Sequence, residues 1–209
     1  MRETPPVRQH ARRDAVRSRQ AILDAAERLF AERGYEAATM SQIGSAAGLS
    51  AGTPAYFFRS KVDLYRAVLG RAFEETSALI RAWHLGEVDF EQSLRDAVGS
   101  YLDFLAAHPN FVRLVIRDAL EGGRFLQGLP EHVAAIGEAM PRLVMEQEWG
   151  HLREGIDPAH LLLSGISLCW FPMVAVALTR DLGIRADSTD FLEARKQQVS
   201  DLLLRGVLR

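Results

Sequence analysis

From Ile22 onward, apolar positions recur at three- and four-residue intervals, the period of helices that bury one face. Ile22, Leu23, Ala26, Leu29 and Phe30 share one side of a first helix. Gly34 supplies its left-handed stop, and Tyr35 is placed to pack back on Phe30, as a Schellman ending requires. Thr39-Met40-Ser41-Gln42 is a capping box, which opens a short second helix running to about Ala47. Gly48 ends it, and Leu49 can fold back on Ile43. A third helix ends near Phe58; either Ser50 caps it, or Thr53 caps it with Pro54 as the first helical residue. Ser60-Lys61-Val62-Asp63 repeats the capping signature and opens a long fourth helix, whose stripe of Leu64, Val68, Phe73, Ile80 and Trp83 reaches about His84. Further amphipathic helices are expected at 89–107, 110–121, 131–152, 158–181 and 188–207, punctuated by Gly86, His108-Pro109, Gly122-Gly123, Asp157-Pro158 and Gly183. No stretch alternates as a strand does, and no repeat is present. The expectation is an all-α chain of nine helices. Residues 1–12, with Pro5-Pro6 and many charges, read as a disordered basic arm.

Composition narrows the functional classes. Apolar residues are 48% and charged residues 25%, an ordinary globular balance. The net charge is −2 but unevenly spread: residues 1–70 hold 11 Lys/Arg against 7 Asp/Glu, and residues 71–209 hold 14 against 20. A basic first third suits local contact with a polyanion. Cys169 is the sole cysteine, which excludes an intramolecular disulfide; in its apolar run it reads as a buried, inert thiol. Leu161 to Leu178 carries no charge for eighteen residues. It contains Ser164, Gly165, Ser167 and Pro172, so burial in a bundle or subunit interface explains it better than a membrane span. The charged first twenty residues contain no leader-like apolar core, and the expected location is the cytoplasm. Six scattered histidines form no metal-binding pair, and there is no phosphate loop or Ser/His/Asp frame. Neither an enzyme nor a bound metal or cofactor is therefore expected.

Three short helices in about 45 residues, with Gly48-Leu49-Ser50 between the second and third, form a helix-turn-helix pattern, in which a tight turn lets one helix brace another in the major groove. The run from Ile22-Leu23-Asp24-Ala25-Ala26 through Leu29-Phe30-Ala31-Glu32-Arg33-Gly34-Tyr35, then Thr39 to Ser50, Gly52-Thr53, Phe58, Ser60-Lys61 and Leu64-Tyr65, resembles the TetR/AcrR family without a gap over residues 17–69. The resemblance implies a helix-turn-helix domain at 13–60, with 39–58 as its reading unit, and an effector-binding and dimerisation domain at 61–209. Thr39 and Ser41, at a helix N-terminus, can offer donors to phosphate. Gln42, Ser45, Ala51, Gly52 and Thr53 are candidates for base edges, with Ser50 and Phe57 beside them. The resemblance places Tyr56 and Lys61 on the DNA backbone. Ala51 stands where the family often has Lys or Arg, and Pro54-Ala55 replaces Leu-Tyr, which leaves the operator sequence open. Arg8, Arg12, Arg13, Arg17 and Arg19 form either a DNA-following arm or a solubilising tail.

A half-site is short, so a palindromic operator on double-stranded DNA read by a homodimer is expected. Leu162 and Ile166, with Phe191, Val199, Leu202 and Leu203 of the last helix, are the expected dimer surface. Phe73, Trp83, Phe104, Phe111, Phe125, Met140, Met145, Trp149, Trp170 and Met173 are candidates to line a pocket for a small apolar or aromatic effector. Arg117 and Glu121 are either polar anchors in it or a surface ion pair. The resemblance implies a repressor whose effector tilts the fourth helix and separates two reading heads. The alternative is an all-helical interaction or ligand-binding module without DNA.

Overall fold

In a computed structural model, residues 6–83 and 89–207 are described. They form ten helices: α1 (Pro6–Arg33), α2 (Met40–Ala46), α3 (Thr53–Phe57), α4 (Lys61–Arg81), α5 (Phe90–Ala107), α6 (Pro109–Leu120), α7 (Pro130–Glu148), α8 (Pro158–Val174), α9 (Val176–Asp181) and α10 (Thr189–Val207). The first five residues of the expected arm, His84 and Gly86 lie outside the described residues. From Pro6 the backbone is already helical, where disorder to residue 12 is expected. A proline fits the first helical turn, and Gln, Ala and Arg propagate the helix without an apolar face.

The local stops act largely as the sequence predicts. Gln42 N–H donates to Thr39 Oγ1 at 3.2 Å, and Thr39 N–H returns to Gln42 Oε1 at 3.1 Å. Gly48 sits at φ 71°, with its N–H on Ser45 O and that of Leu49 on Gly44 O, the paired bonds of a Schellman motif. Gly34, at φ 84°, closes α1 through one bond to Phe30 O, simpler than the Schellman pair expected there. The third helix corrects both expected caps. Gly52 occupies the N-cap and Pro54 the first turn, where its missing N–H has no intrahelical partner.

The helix expected at 158–181 is two helices. Pro172 lacks the N–H that would bond the Leu168 carbonyl, and the chain breaks at Ala175 (φ −92°, ψ 36°). Arg195 of α10 takes the freed carbonyl at 2.7 Å. No described helix is long and apolar enough to cross a membrane.

Two cores organise the chain. One joins α1–α4 to Phe111 and Leu114 of α6 and to Phe125 and Leu129 of the following loop. The other joins α5, α8 and α10 with Val112, Leu143 and Leu152. Phe104, Leu162 and Trp170 touch both. Helix α7 lies along α4, where Arg142 donates to the backbone carbonyls of Trp83 and Arg81 and so caps the end of α4.

Candidate nucleic-acid interface and effector cavity

The reading unit depends on close backbone approach. A Cβ on Gly44 would lie 2.7 Å from the Ser50 carbonyl oxygen and 3.2 Å from Ala51 Cα, so only glycine lets α2 cross the start of α3. Buried Pro54 packs at the same crossing. On the outer side, Ser41, Ser45, Ala51, Gly52 and Tyr56 are exposed, Tyr56 at 86%. A protruding aromatic beside small side chains suits close backbone and methyl contact with a groove better than long-armed readout.

Several predicted contacts are held within the protein. Thr39 is exposed, but its hydroxyl and the Gln42 amide complete the capping box, so Gln42 reaches a base only by giving up that cap. Ser50 and Thr53 hydroxyls bond each other at 2.7 Å. Ser45 Oγ donates to Ser41 O at 3.2 Å. Phe57 is half-buried, edge-on to Tyr56 with centroids 5.2 Å apart. Lys61 is the most fully held of them. Its Nζ donates to the carbonyls of Tyr35, Glu36 and Ala38 at 2.9, 3.3 and 3.2 Å and lies 4.3 Å from the Tyr35 ring centroid. The free carbonyls past the end of α1 attract the ammonium, and the ring face adds a cation–π contact. Arg19 lies over buried Phe58 at 5.3 Å, against the head.

Arg71, not singled out in the sequence, clamps α4 to α1 through Asp24 at 2.6 Å and Glu27 at 2.5 Å. Those carboxylates also hold its guanidinium above its ordinary range against the pull of desolvation. The head is tied to the body by an aromatic box. Phe125, from the loop after α6, lies 4.6 Å from the centroids of both Tyr35 and Tyr65, and Tyr65 lies 4.9 Å from Phe30. Asp118, buried in α6, orders that loop by accepting the N–H groups of Phe125 and Leu126 at 3.2 and 3.0 Å. Arg124 bonds Glu36 at 2.9 Å across the same junction. Burial pushes the Tyr65 hydroxyl far up, so it stays a neutral packing element.

The body holds a partly open cavity of about 410 Å³ among α4, α5, α6, α7 and α8, with Leu203 of α10 also in its wall. Phe73, Trp83 and Trp170 line it as predicted, with Ile80, Tyr101, Val115 and Ile116 beside them. Among the described lining residues, no side chain carries a full charge. Its polar atoms are few: Trp170 Nε1 donates to Tyr101 Oη at 2.6 Å, and Trp83 Nε1 donates to Ser100 at 3.1 Å. The Tyr101 proton goes to no described residue, and burial raises its pKa to about 12, leaving a neutral donor at the cavity. Cys169 lies in the wall, its thiol pushed up by burial to about 12, as expected of an inert cysteine.

The other predicted pocket residues lie elsewhere, because large soft side chains mark core as readily as cavity. Phe104 and Phe111 form a second layer behind Phe73 and Trp170. Phe125 belongs to the junction with the head. Met140 is half-buried outside the lining, while Met145 and Trp149 are about half exposed. Met173 and Arg117 face a different groove, and Glu121 meets Arg124 instead of Arg117. The predicted dimer residues divide similarly. Val199 and Leu203 are buried in the second core, Leu162 and Ile166 line the cavity, and Phe191 is half-buried. Only Leu202 is largely exposed. Further exposed apolar side chains form a stripe through Leu163, Phe171 and Val174 of α8, Leu178 of α9 and Leu182 just past its end.

A helix-turn-helix carried on a long helix, whose far end walls an apolar cavity, defines a ligand-responsive DNA-binding regulator. Residues 22–68 match the model of bacterial regulatory proteins of the tetR family, and residues 91–203 match the tetracyclin repressor-like C-terminal domain. The chain belongs to the TetR family of transcriptional regulators. It is similar to the HTH-type transcriptional repressor NicS of Pseudomonas putida, 29% identical over 93% of this chain and 94% of the relative. It is also similar to the repressor KstR of Mycolicibacterium smegmatis, 28% identical over 82% and 80%. Its fold matches the fatty acid degradation regulator FadR from Bacillus halodurans, with a TM-score of 0.69 and 21% identity over 97% of each chain.

Proposed function

We propose that this chain is a homodimeric repressor in the cytoplasm, which holds a palindromic operator and releases it when a neutral apolar or aromatic molecule enters the α4–α8 cavity. The observation that carries this reading is the double role of α6. Its Val115 and Ile116 line the cavity, and two to three residues further on Asp118 holds the Phe125 loop against Tyr35 of the head and Tyr65 at the start of α4. A ligand that spreads the α6 wall acts on the head through that loop. The same ligand meets Phe73 and Ile80 on α4 directly. An uncharged lining selects an uncharged guest, with the Tyr101 hydroxyl, whose proton no described residue takes, as a polar handle. The stripe of Leu163, Phe171 and Leu178 favours a second copy as partner, because two heads are needed to read a palindrome. Fluorescence anisotropy with DNA from the chain's own promoter region tests the reading. A saturable, salt-sensitive complex on one palindromic sequence, weakened by a neutral hydrophobic ligand that quenches Trp83 and Trp170, is expected. Binding with equal affinity to unrelated DNA would refute it.

A further inference from the structure

Helix α6 also walls a second space, an open groove of about 900 Å³ bounded by the end of α5, by α8 and α9, and by the start of α10. Ile116 belongs to both linings, so the groove and the apolar cavity adjoin. Their chemistry differs. Arg113, Arg117 and Arg180 line the groove against a single carboxylate, Asp187. This concentration stands out in a segment, residues 71–209, where Asp and Glu outnumber Lys and Arg by 20 to 14. The arginines are only weakly neutralised. Arg180 meets Asp187 loosely, at 3.8 Å, and neither Arg113 nor Arg117 forms an ion pair with a described residue. Apolar side chains of Val112, Met173 and Leu192 complete the lining.

We infer that this groove is a second ligand site, which takes an organic anion: a carboxylate or phosphate ester joined to an apolar body. A guanidinium stays charged at any physiological pH and meets such oxygens with two parallel N–H bonds. Arg113 and Arg180 line the groove with Arg117 at its junction with α1, so an anion there meets guanidinium groups, and Val112, Met173 and Leu192 give its hydrocarbon part a surface out of water. The site reaches the DNA-binding head. Ala31 of α1 is part of the lining, and the Arg117 guanidinium fills the space that a Cβ on Gly34 would occupy. An anion that draws Arg117 into the groove takes it from the turn that ends α1. This last consequence, an effect on operator affinity, rests on the repressor reading above; the binding itself does not.

Calorimetry on the full chain without DNA separates the two. Octyl phosphate, octanoate and octanol are titrated below their aggregation concentrations into the wild type and into an Arg113→Glu/Arg180→Glu double variant. Both altered positions are exposed, and circular dichroism verifies that the variant folds. The expected result is binding of at least one of the two anions to the wild type, weakening with added salt and falling tenfold or more in the variant, with octanol affinity unchanged. The stronger anion identifies the headgroup preferred. Equal anion affinity in both proteins, competition between octanol and the anion for one site, or no anion binding at millimolar concentration overturns the proposal. A wild type that binds anion but no operator refutes the repressor reading and leaves the groove standing.

Discussion

The reading head and the body solve opposite problems with the same helices. In the head, helix ends are closed by particular groups: the Thr39–Gln42 box, Gly48, the Ser60 hydroxyl on Asp63 N–H, and Lys61 on the carbonyls beyond α1. Its core residues Ile22, Ala26, Phe30, Ile43 and Leu64 are completely buried. The body leaves an apolar cavity of about 410 Å³, an arginine-lined groove, and a stripe of exposed apolar side chains. Unfilled apolar volume costs stability, about 24 cal/mol for each Å³ that stays empty. The contrast fits a division of labour in which the head must match a fixed DNA shape and the body must admit a guest and a partner.

The largest effect expected comes from breaking the body's outer face. Phe171→Glu places a charge in the middle of the exposed stripe, on a side chain 58% accessible in the single chain. The helical fold should be kept, with the melting temperature lowered only by the loss of subunit association. Light scattering should show the dimer lost, and operator affinity should fall by about two orders of magnitude or more as the two heads cease to bind together. A dimer that survives this change would place the partner surface elsewhere.

Next in size is a break within the head. Gly44→Ala drives a Cβ toward the Ser50 carbonyl, and backbone cannot give way as a flexible side chain can. A loss of about 1–3 kcal/mol is expected from overpacking, with loss of operator binding. Gly137→Ala, in a helix with nothing within 4 Å of the new methyl, should instead stabilise by roughly 0.5–1 kcal/mol. Thermal melts of the two variants test whether the strain is local to the α2–α3 crossing.

The sequence revealed the head more fully than the body for the same physical reason. Capping boxes and left-handed glycines are local signals, so α2, the turn at Gly48 and the start of α4 are legible within four residues each. Gly44 escaped notice because a helical glycine with φ in the ordinary range has no local signature; its need comes from Ser50 across the turn. Lys61 could not be read either, since its partners lie more than twenty residues away. In the body, aromatic and methionine content shows that side chains are apolar but not whether the space beside them is filled. Phe73 and Phe111 touch at 5.1 Å, yet only Phe73 lines the cavity. Pro172 carried the break between α8 and α9 in plain view. Reading it correctly required knowing that Arg195 waits for the carbonyl it frees.

The link between the two regions gives a third, smaller effect. Phe125→Leu keeps an apolar side chain in the aromatic box but removes the ring contacts with Tyr35 and Tyr65. Stability should fall by about 1–2 kcal/mol, from lost aromatic pairing and a partly filled space. The sharper readout is coupling: a cavity ligand should bind as before yet lower operator affinity less than in the wild type. Unchanged coupling would mean that α4 alone carries the signal.

Lys61 provides the smallest and most discriminating test, because one side chain is offered two roles with different signatures. As a phosphate contact it would add one released counterion per subunit, and Lys61→Met would flatten the slope of log affinity against log salt by about 0.9 for each subunit, or about 1.8 for a dimer. As a brace, it satisfies the Tyr35, Glu36 and Ala38 carbonyls, and its loss leaves those acceptors to water at a cost of about 1 kcal/mol. The geometry supports the brace, since three N–H donors already meet three acceptors and the ammonium lies over the Tyr35 ring. The expected outcome is therefore a lower melting temperature with an unchanged salt slope. A flattened slope with an unchanged melting temperature would show that DNA draws the ammonium off its carbonyls, making this end of α1 part of the interface. Arg124, which lies over the same Tyr35 ring and bonds Glu36, would then be left to hold the junction alone. Adding Arg124→Met to Lys61→Met should in that case destabilise the protein by more than the sum of the two single changes.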